Sequence, residues 1–377
     1  MPRPALYGLP LLVALGCSAA EPSAAEPSAA EPSAAEPSAE QAAGQAAEQA
    51  ATGQAAAAEF AGERPVAGEA AATQALRLDE PRDVLLDWAA LRNPILESAS
   101  RLYKDPAVVY HDGWFYVFTH ENHRSRDLRT FEPLPTTGSQ PDVTWSGSGW
   151  IMAQNGGPQP GWKEGSAAPR LRRSLDLLTW SAAGPLLPGI PEERNIDPAI
   201  AWEGGFAYIA FKREQTLHVT RVAEADLGTD RYEPIQRGSA GGLFAEQFQL
   251  IKLDGVWHMV ATSYRYNLLD MIQLGLHPYT GNHHPFLYTK RDAGADLSAW
   301  TTWEGRRELL IPRERWNRAM HANGGHLVDR RAVDGYYYLF YAGSEDHDSF
   351  DRRGHDKIGV ARSRDLVRWV VPGDTSL

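Results

Sequence analysis

The sequence predicts an all-β protein assembled from five similar units. An Asp-Leu pair followed shortly by an aromatic residue recurs five times, and successive copies are 49, 50, 70 and 69 residues apart. The copies begin at Asp127, Asp176, Asp226, Asp296 and Asp365. Upstream of most copies, two β-rich runs are joined by Asp-Gly or Gly-Gly, the strongest short-range signal for a hairpin. No long amphipathic helical pattern occurs from residue 100 onward.

The N-terminus has the pattern of a lipoprotein signal peptide over residues 1–16. Arg3 precedes an apolar run from Leu6 to Leu15, which is shorter than the roughly 20 residues of a membrane-spanning helix. The string from Val13 to Cys17 resembles a bacterial lipoprotein box, in which cleavage leaves the cysteine as a lipidated N-terminus. We therefore expect secretion and a lipid anchor on Cys17 in the bacterial outer membrane, with the body periplasmic or at the cell surface. An ordinary secretory signal is the alternative.

Residues 17–75 are expected to form a disordered linker between the lipid and the folded body. Glu-Pro-Ser-Ala-Ala repeats run from Glu21 to about Ser38, and an Ala/Gln-rich stretch follows. A proline every five residues prevents a continuous helix. The segment also lacks the apolar side chains whose burial would offset the entropy of ordering.

Composition excludes several classes of function. The chain has 377 residues, 37 Lys+Arg and 48 Asp+Glu, for a net charge of −11. Seven glutamates and one arginine precede residue 60, so the rest of the chain is near neutral. Net acidity argues against a nucleic-acid-binding protein, and a single cysteine excludes an intrachain disulfide or a zinc site with several thiolates. We expect a monomer whose only membrane contact is the lipid anchor.

The repeated unit predicts the architecture of residues 76–377. Hairpin signals cover residues 107–118, 199–209, 250–260 and 334–341. Five units of about 50 to 70 residues, each with three or four strands, predict a five-bladed β-propeller. Two stacked sheets could use the same hairpins but would not require five equal copies.

Acidic residues stand at the start of three blades. The first strand of each blade lines the central funnel, so its first residues face a ligand. Asp105 and Asp197 each lie eight residues before the glycine of a hairpin turn, and Glu246 lies nine residues before one. We expect these three carboxylates to converge on one axis, although an Asp before Pro is also a common turn residue.

Converging carboxylates suit acid–base chemistry. Like charges held close together raise at least one pKa, which keeps a carboxylic acid protonated near neutrality. A carboxyl separation of roughly 6.5–9.5 Å suits an inverting glycosidase, and about 5–5.5 Å suits a retaining one.

The strings around these residues resemble glycoside hydrolase family 43 and its five-bladed relatives. The similarity is carried by Lys104–Gly113, by Asn195–Ile200, by Glu246 and by the Asp-Leu-aromatic blade ends, over about residues 100 to 370. The resemblance implies an inverting glycosidase of arabinofuranosidase or xylosidase type acting on oligo- or polysaccharides. It also implies Asp105 as the general base, Asp197 as the residue that tunes the acid, and Glu246 as the acid.

The sequence departs from the family pattern after Glu246. A small residue or proline usually follows the acid, whereas Gln247-Phe248 follow here, which predicts a differently shaped pocket floor. Some relatives use a histidine as the acid, so His258, His321 and His326 are alternatives.

Further polar residues are candidates for substrate binding. Lys212, Arg265 and Asn323 are expected to reach sugar hydroxyls or a uronate carboxylate, with blade-rim salt bridges as the alternative. His326 resembles the family's axial histidine, which allows a structural calcium at the propeller axis; no cofactor is required otherwise. His283-His284 lacks a defined metal-ligand spacing and is expected in a solvated loop.

Three other functions remain open. A carbohydrate-binding propeller without catalysis, a fructan-type hydrolase and a glycoside phosphorylase would all use the same fold. No Gly-rich phosphate loop, nucleophile elbow or dinucleotide fingerprint occurs in the sequence.

Overall fold

The computed structural model describes residues 83–97, 103–135, 141–159, 161–240, 245–266, 270, 273–274, 283–291, 294–345 and 356–374. The expected signal peptide, Cys17 and the linker of residues 17–75 lie outside the described residues and stay predictions.

The described strands form five antiparallel four-stranded sheets, the blades of a five-bladed β-propeller, so the predicted all-β fold is confirmed. Strand β1 (Leu96–Glu97) precedes blade one. Blade one contains β2 (Ala107–His111), β3 (Trp114–Phe118), β4 (His123–Ser125) and β5 (Glu132–Pro133). Blade two contains β6 (Asp142–Trp145), β7 (Trp150–Gln154), β8 (Arg170–Ser174) and β9 (Gly184–Pro185). Blade three contains β10 (Asn195–Glu203), β11 (Phe206–Arg213), β12 (Thr216–Ala223) and β13 (Gln236–Arg237). Blade four contains β14 (Glu246–Leu253), β15 (Val256–Tyr264), β16 (His283–Lys290) and β17 (Trp303–Glu308). Blade five contains β18 (Met320–Asp329), β19 (Tyr337–Ser344), β20 (Lys357–Ser363) and β1.

The ring is closed by the N-terminal strand. Strand β1 pairs with β20, with Leu96 opposite Ile358, so the outermost strand of blade five comes from the start of the described chain. The side chain of Asn93 strengthens this joint, because it donates to the carbonyl of Val360 at 3.0 Å and accepts from its N–H at 2.9 Å. Trp88 packs edge-on against Tyr338, with ring centroids 5.9 Å apart.

The predicted two-residue hairpin turns are present in three blades. Asp112-Gly113, Gly204-Gly205 and Asp254-Gly255 all have positive φ at both positions. This conformation matches a type I′ turn, whose twist fits that of the flanking strands.

The predicted Asp334-Gly335 hairpin turn is wrong. These residues end a short helix, α1 (Arg331–Asp334), and Gly335 takes up a left-handed conformation with φ of 84°. A glycine is favoured there because a side chain would be strained. Strands β18 and β19 are therefore joined by a loop that contains a helical turn. No helix among the described residues has the length and hydropathy of a membrane span.

Three of the five Asp-Leu copies form the same capped turn. Asp127 accepts hydrogen bonds from the N–H groups of Arg129 and Thr130 at 2.9 and 2.8 Å. Leu128 follows with a φ of 57° and is buried between blades. The copies at Asp176 and Asp365 repeat these bonds.

The other two copies adopt a different local structure. Asp226 ends the 3-10 helix Glu224–Asp226, and Asp296 precedes the 3-10 helix Leu297–Trp300. Neither helix has a side-chain cap. The aromatic residue of the last of these copies still packs in the apolar core, because Trp300 stacks on Tyr208 of blade three with ring centroids 4.0 Å apart.

Candidate active site

The innermost strands of four blades bend at the same position. Asp105, Asp197, Gln247 and Gly324 have positive φ angles of 50°, 55°, 56° and 60°. The pairing register shifts beside this residue in β10, β14 and β18. Bulges of this kind re-aim side chains and are frequent next to ligand sites. Gln247 is therefore the counterpart of Asp105 and Asp197, and Glu246 lies one residue earlier in its strand.

Gln247 connects two of the three predicted catalytic carboxylates. Its side-chain nitrogen donates to Oδ1 of Asp105, and its main-chain N–H donates to Oδ2 of Asp197 at 3.3 Å. Its side-chain oxygen accepts from the hydroxyl of Thr262 at 2.9 Å, which fixes the direction in which the amide faces. The Thr262 hydroxyl in turn accepts the N–H of Gly324 at 2.9 Å.

Asp105 is 4% exposed and lies where blades one and five meet. The Lys104 ammonium lies 3.6 Å from its Oδ2, and the side-chain nitrogen of Asn323 donates to its Oδ1 at 3.4 Å. A Cβ on Gly324 would come within 2.6 Å of the Asp105 Cα, so only glycine allows this close approach. The carboxylate is thus held by groups from three blades.

Asp197 is 2% exposed and bound to Asn155 of blade two. Its main-chain N–H donates to Oδ1 of Asn155 at 2.6 Å, and the Asn155 side-chain nitrogen donates to its Oδ1 at 3.4 Å. Burial, followed by the negative charge of Glu246, raises the pKa of Asp197 to about 7, although Lys212 acts in the opposite direction. Asp197 therefore changes its charge near neutral pH.

Glu246 forms an ion pair with Lys212. The Lys212 Nζ donates to Oε2 of Glu246 at 2.5 Å, and the Nδ1 of His283 lies 4.0 Å from Oε1. Burial acts to raise the pKa of Glu246, but the charge and the hydrogen bond of Lys212 outweigh it and hold this pKa below its ordinary value. The structure thus brings Lys212 into the site as the partner of Glu246.

The expectation of a solvated loop at His283-His284 is wrong. His283 and His284 begin β16 and are 7% and 1% exposed. Their burial is explained by acidic partners, because His284 Nδ1 lies 3.0 Å from Oε1 of Glu308 and His283 faces Glu246. Burial lowers the pKa of His283 to about 4, so its ring is neutral at pH 7.

Below the carboxylates, three buried polar side chains join neighbouring blades at the axis. Each accepts a main-chain N–H group from the next blade, which satisfies donors that water cannot reach. His326 accepts from Val108 at 3.2 Å, Asp142 from Ile200 at 3.0 Å, and Gln249 from Leu327 at 2.7 Å. His326 is 5% exposed and lines a cavity of about 20 Å³ beneath Asp105 and Asp197, which has room for about one water molecule.

The residues at the axis do not fit a calcium ion. Calcium takes about six to eight oxygen ligands, whereas both carboxylate oxygens of Asp142 already contact Ile200 N–H and the ring of His326. Within the described ranges, no group of three or more His, Cys, Asp or Glu residues is arranged to hold a metal ion.

Two of the remaining candidates lie in a separate cavity at the rim of the same end. Arg265 forms an ion pair with Glu308 at 3.0 Å, and both line this cavity together with His321. His258 lies elsewhere, because it is four residues along β15 from Thr262 and contacts the hydroxyl of Thr289 at 3.3 Å. The structure therefore brings Asn323 and Lys212 to the carboxylates, but not Arg265 or His258.

The residues that surround the carboxylates are not predicted from the sequence. Lys104 is adjacent to Asp105 in the sequence and could have been found there. Thr262, Asn155 and His283 come from other strands, and their positions depend on strand register and blade packing, which the sequence does not reveal.

No protein-family model and no curated protein sequence matches the chain. Solved structures do match. An alpha-L-arabinofuranosidase from Lactobacillus brevis is 10% identical, with a TM-score of 0.54 over 76% of this chain and 100% of that one. The GH43 protein BlXynB from Bacillus licheniformis is 14% identical, with a TM-score of 0.53 over 74% of this chain and 56% of that one. A xylan beta-1,4-xylosidase from Bacillus halodurans is also 14% identical, with a TM-score of 0.52 and the same coverages.

At these sequence identities, the comparison shows a shared fold. The chain spans 56% of the length of the Bacillus licheniformis and Bacteroides ovatus GH43 structures that it matches. With its five four-stranded blades, the chain has the five-bladed propeller fold of these glycoside hydrolases.

Proposed function

We propose that the protein is a glycosidase that hydrolyses O-glycosidic bonds of oligo- or polysaccharides with inversion. The observation that carries this proposal is the cluster of Asp105, Asp197 and Glu246, connected through Gln247 and Lys212 at one end of the propeller axis. The fold shared with arabinofuranosidases and xylosidases favours an arabinose- or xylose-type substrate.

In this proposal Asp105 is the general base that activates a water molecule. The amides of Gln247 and Asn323 and the ammonium of Lys104 orient its carboxylate, as a positioned base requires. The small cavity that Asp105 and Asp197 line offers space for about one water molecule beside this carboxylate.

Glu246 is the proposed general acid, and Asp197 holds the proton that it needs. Lys212 keeps Glu246 ionised, whereas Asp197 titrates at about pH 7. A leaving-group oxygen that takes the place of the Lys212 ammonium would leave Glu246 buried beside Asp197, and both effects raise a carboxyl pKa. Substrate binding would thus shift the shared proton toward Glu246, which donates it to the leaving oxygen.

A screen on nitrophenyl glycosides and on arabino- and xylo-oligosaccharides tests this function. We expect sugar release with an inverted first-formed anomer by proton NMR, and a loss of about 10²- to 10⁴-fold in Asp105→Asn. Retention of configuration, or release unaffected by Asp105→Asn, would contradict the mechanism. Turnover that requires phosphate would identify a phosphorylase, release confined to fructans a fructan hydrolase, and binding without release a carbohydrate-binding propeller.

We further propose that the chain is secreted and anchored to the bacterial outer membrane through a lipid on Cys17, with residues 17–75 as a spacer. The sequence pattern of residues 1–17 supports this proposal. Metabolic labelling with a palmitate analogue should mark the wild-type protein and not Cys17→Ser; equal labelling of both would exclude the anchor.

A further inference from the structure

A second cavity, of about 260 Å³, opens at the same end of the propeller as the three carboxylates, between blades four and five. Its walls come from the ends of β15 and β17 and from the start of β18. The lining residues are Arg265, Tyr266, Glu308, Leu310, Ile311, Arg313 and His321. These elements adjoin the carboxylate site, since Thr262 on β15 lies opposite Glu246 in the sheet.

The charges in this cavity do not cancel. Among the described residues, the lining contains one carboxylate, Glu308, which is shared by Arg265 at 3.0 Å and by His284 at 3.0 Å. Arg313 is exposed and forms no ion pair with any residue in the described part of the chain. One arginine charge therefore remains uncompensated in the wall.

His321 adds a buried polar group that lacks a good hydrogen-bond partner. It is 7% exposed, and neither ring nitrogen forms a hydrogen bond of good geometry, although the carbonyls of Ile311 and Pro312 lie nearby. Burial, followed by the charges of His284 and Arg313, lowers the pKa of His321 to about 4. Its neutral ring has one donor and one acceptor. A buried polar group left unpaired in a cavity wall calls for a ligand or ordered water.

We propose that this rim cavity is a subsite for an acidic sugar unit of the substrate, with the carboxylate of a uronic acid bound by Arg313 and a ring hydroxyl bound by His321. The planar guanidinium matches a carboxylate in a two-point contact, and Leu310 and Ile311 offer an apolar surface to the C–H face of a sugar ring. The inference rests on the proposed function, because it assigns the cavity to the same carbohydrate.

Binding measurements with paired sugars test the subsite. The probes are methyl glucuronide and galacturonic acid, each compared with its neutral counterpart, methyl glucoside or galactose, by calorimetric titration. We expect wild-type protein to bind each uronate about tenfold more tightly than its neutral counterpart, which corresponds to about 1.4 kcal/mol.

Two arginine variants locate the effect. Arg313→Ala should lose the uronate preference, whereas Arg315→Ala, an 87% exposed residue that pairs with Glu345, should keep it. His321→Ala should weaken the binding of the uronates and of the neutral sugars by similar factors. Equal binding of uronate and neutral sugar by wild-type protein, or a preference that survives in Arg313→Ala, would overturn the subsite.

The outcome is separable from that of the proposed function. Hydrolysis of neutral glycosides by wild-type protein without a uronate preference would refute the subsite and leave the glycosidase standing. A uronate preference lost in Arg313→Ala, in a protein that hydrolyses no glycoside, would support the subsite and refute the glycosidase.

Discussion

At the level of single residues, the candidate site is a cluster of three carboxylates whose proton content is set by two lysines. Lys104 lies 3.6 Å from Asp105, and Lys212 lies 2.5 Å from Glu246. Asp197 makes no such close ion pair among the described residues, and its burial is the largest cause that raises its pKa. The site therefore stores its proton on Asp197.

This arrangement predicts a stability cost that grows with pH. The folded protein raises the pKa of Asp197 from 3.8 to about 7, so it keeps a proton that the unfolded chain has already lost. Stability from this group is full below about pH 4 and is lost as the pH rises through about 7. The stability of Asp197→Asn relative to wild type should rise over this range by about 4 kcal/mol.

Thermal melts of both proteins from about pH 4 to about pH 8 check this prediction. The exposed residue Ser298, which has no titrating group, supplies the control, because Ser298→Ala should show a constant difference from wild type. A constant difference for Asp197→Asn as well would mean that Asp197 is ionised throughout.

The ion pair between Lys212 and Glu246 predicts a shift in the pH dependence of catalysis when Lys212 is replaced. Lys212→Met removes the main charge that lowers the pKa of Glu246, so this pKa rises. A general acid works only while protonated, and the alkaline limb of kcat/KM should therefore move to higher pH. Lys104→Met should move it less, because the Coulombic effect of Lys104 on Glu246 is smaller. Lys212 also lowers the pKa of Asp197, which holds the proton in the free protein, so an alkaline limb that stays in place in Lys212→Met would contradict the proposed control of this proton by Lys212.

The sequence located the three carboxylates but not their surroundings. Asp105 and Asp197 were found by their equal distance from a hairpin glycine, a local property of the chain. Gln247 was noted only as a departure from a family pattern. Its bonds to two aspartates depend on a bulge and on three blades meeting, and no local pattern encodes these.

At the level of elements, the Asp-Leu turns differ in how much they stabilise the blades. Asp176 caps two main-chain N–H groups at 2.9 and 2.7 Å, whereas the side chain of Asp226 forms a surface ion pair with Arg231 and caps no N–H group among the described residues. Loss of a capping aspartate costs about 1 kcal/mol, and a surface ion pair contributes about 0–1 kcal/mol. Urea unfolding should show the larger loss for Asp176→Ala than for Asp226→Ala, and the reverse order would contradict the capping assignment.

Local turns could be predicted, and turns that depend on neighbours could not. Asp112-Gly113 and Asp254-Gly255 form the expected type I′ turns because their dihedral preferences are intrinsic to the two residues. Asp334-Gly335 carries the same signal but ends a helix, where the carboxylate of Asp334 accepts from the hydroxyl of Tyr338 at 2.8 Å. Asp334 thus contacts Tyr338 and Arg330, four residues to either side, and the Asp-Gly pair alone does not encode these contacts.

At the level of the whole molecule, five repeats predicted five blades, but the closure of the ring was not predicted. Strand β1 has only two residues, Leu96–Glu97, and no hairpin signal precedes residue 100. Asn93 and Trp88 also contact blade five, so residues outside the strand contribute to the closure.

Truncation tests the closure. A chain that begins at residue 98 loses β1, the Asn93 hydrogen bonds and the buried ring of Trp88, whereas one that begins at Asp83 keeps them. Loss of a buried tryptophan side chain alone costs about 3–5 kcal/mol, so the shorter chain should melt at a clearly lower temperature. Identical melting of the two chains would show that the ring closes without β1.

The proposed mechanism requires that Glu246 protonates the leaving oxygen in a site built from three carboxylates. This role is tested by kcat/KM of Glu246→Gln on two substrates with the same sugar, an oligosaccharide and a dinitrophenyl glycoside whose leaving group needs no proton. We predict a loss of about 10²- to 10⁴-fold on the oligosaccharide and a much smaller loss on the dinitrophenyl glycoside. Equal losses on both substrates, or none on either, would contradict the assignment.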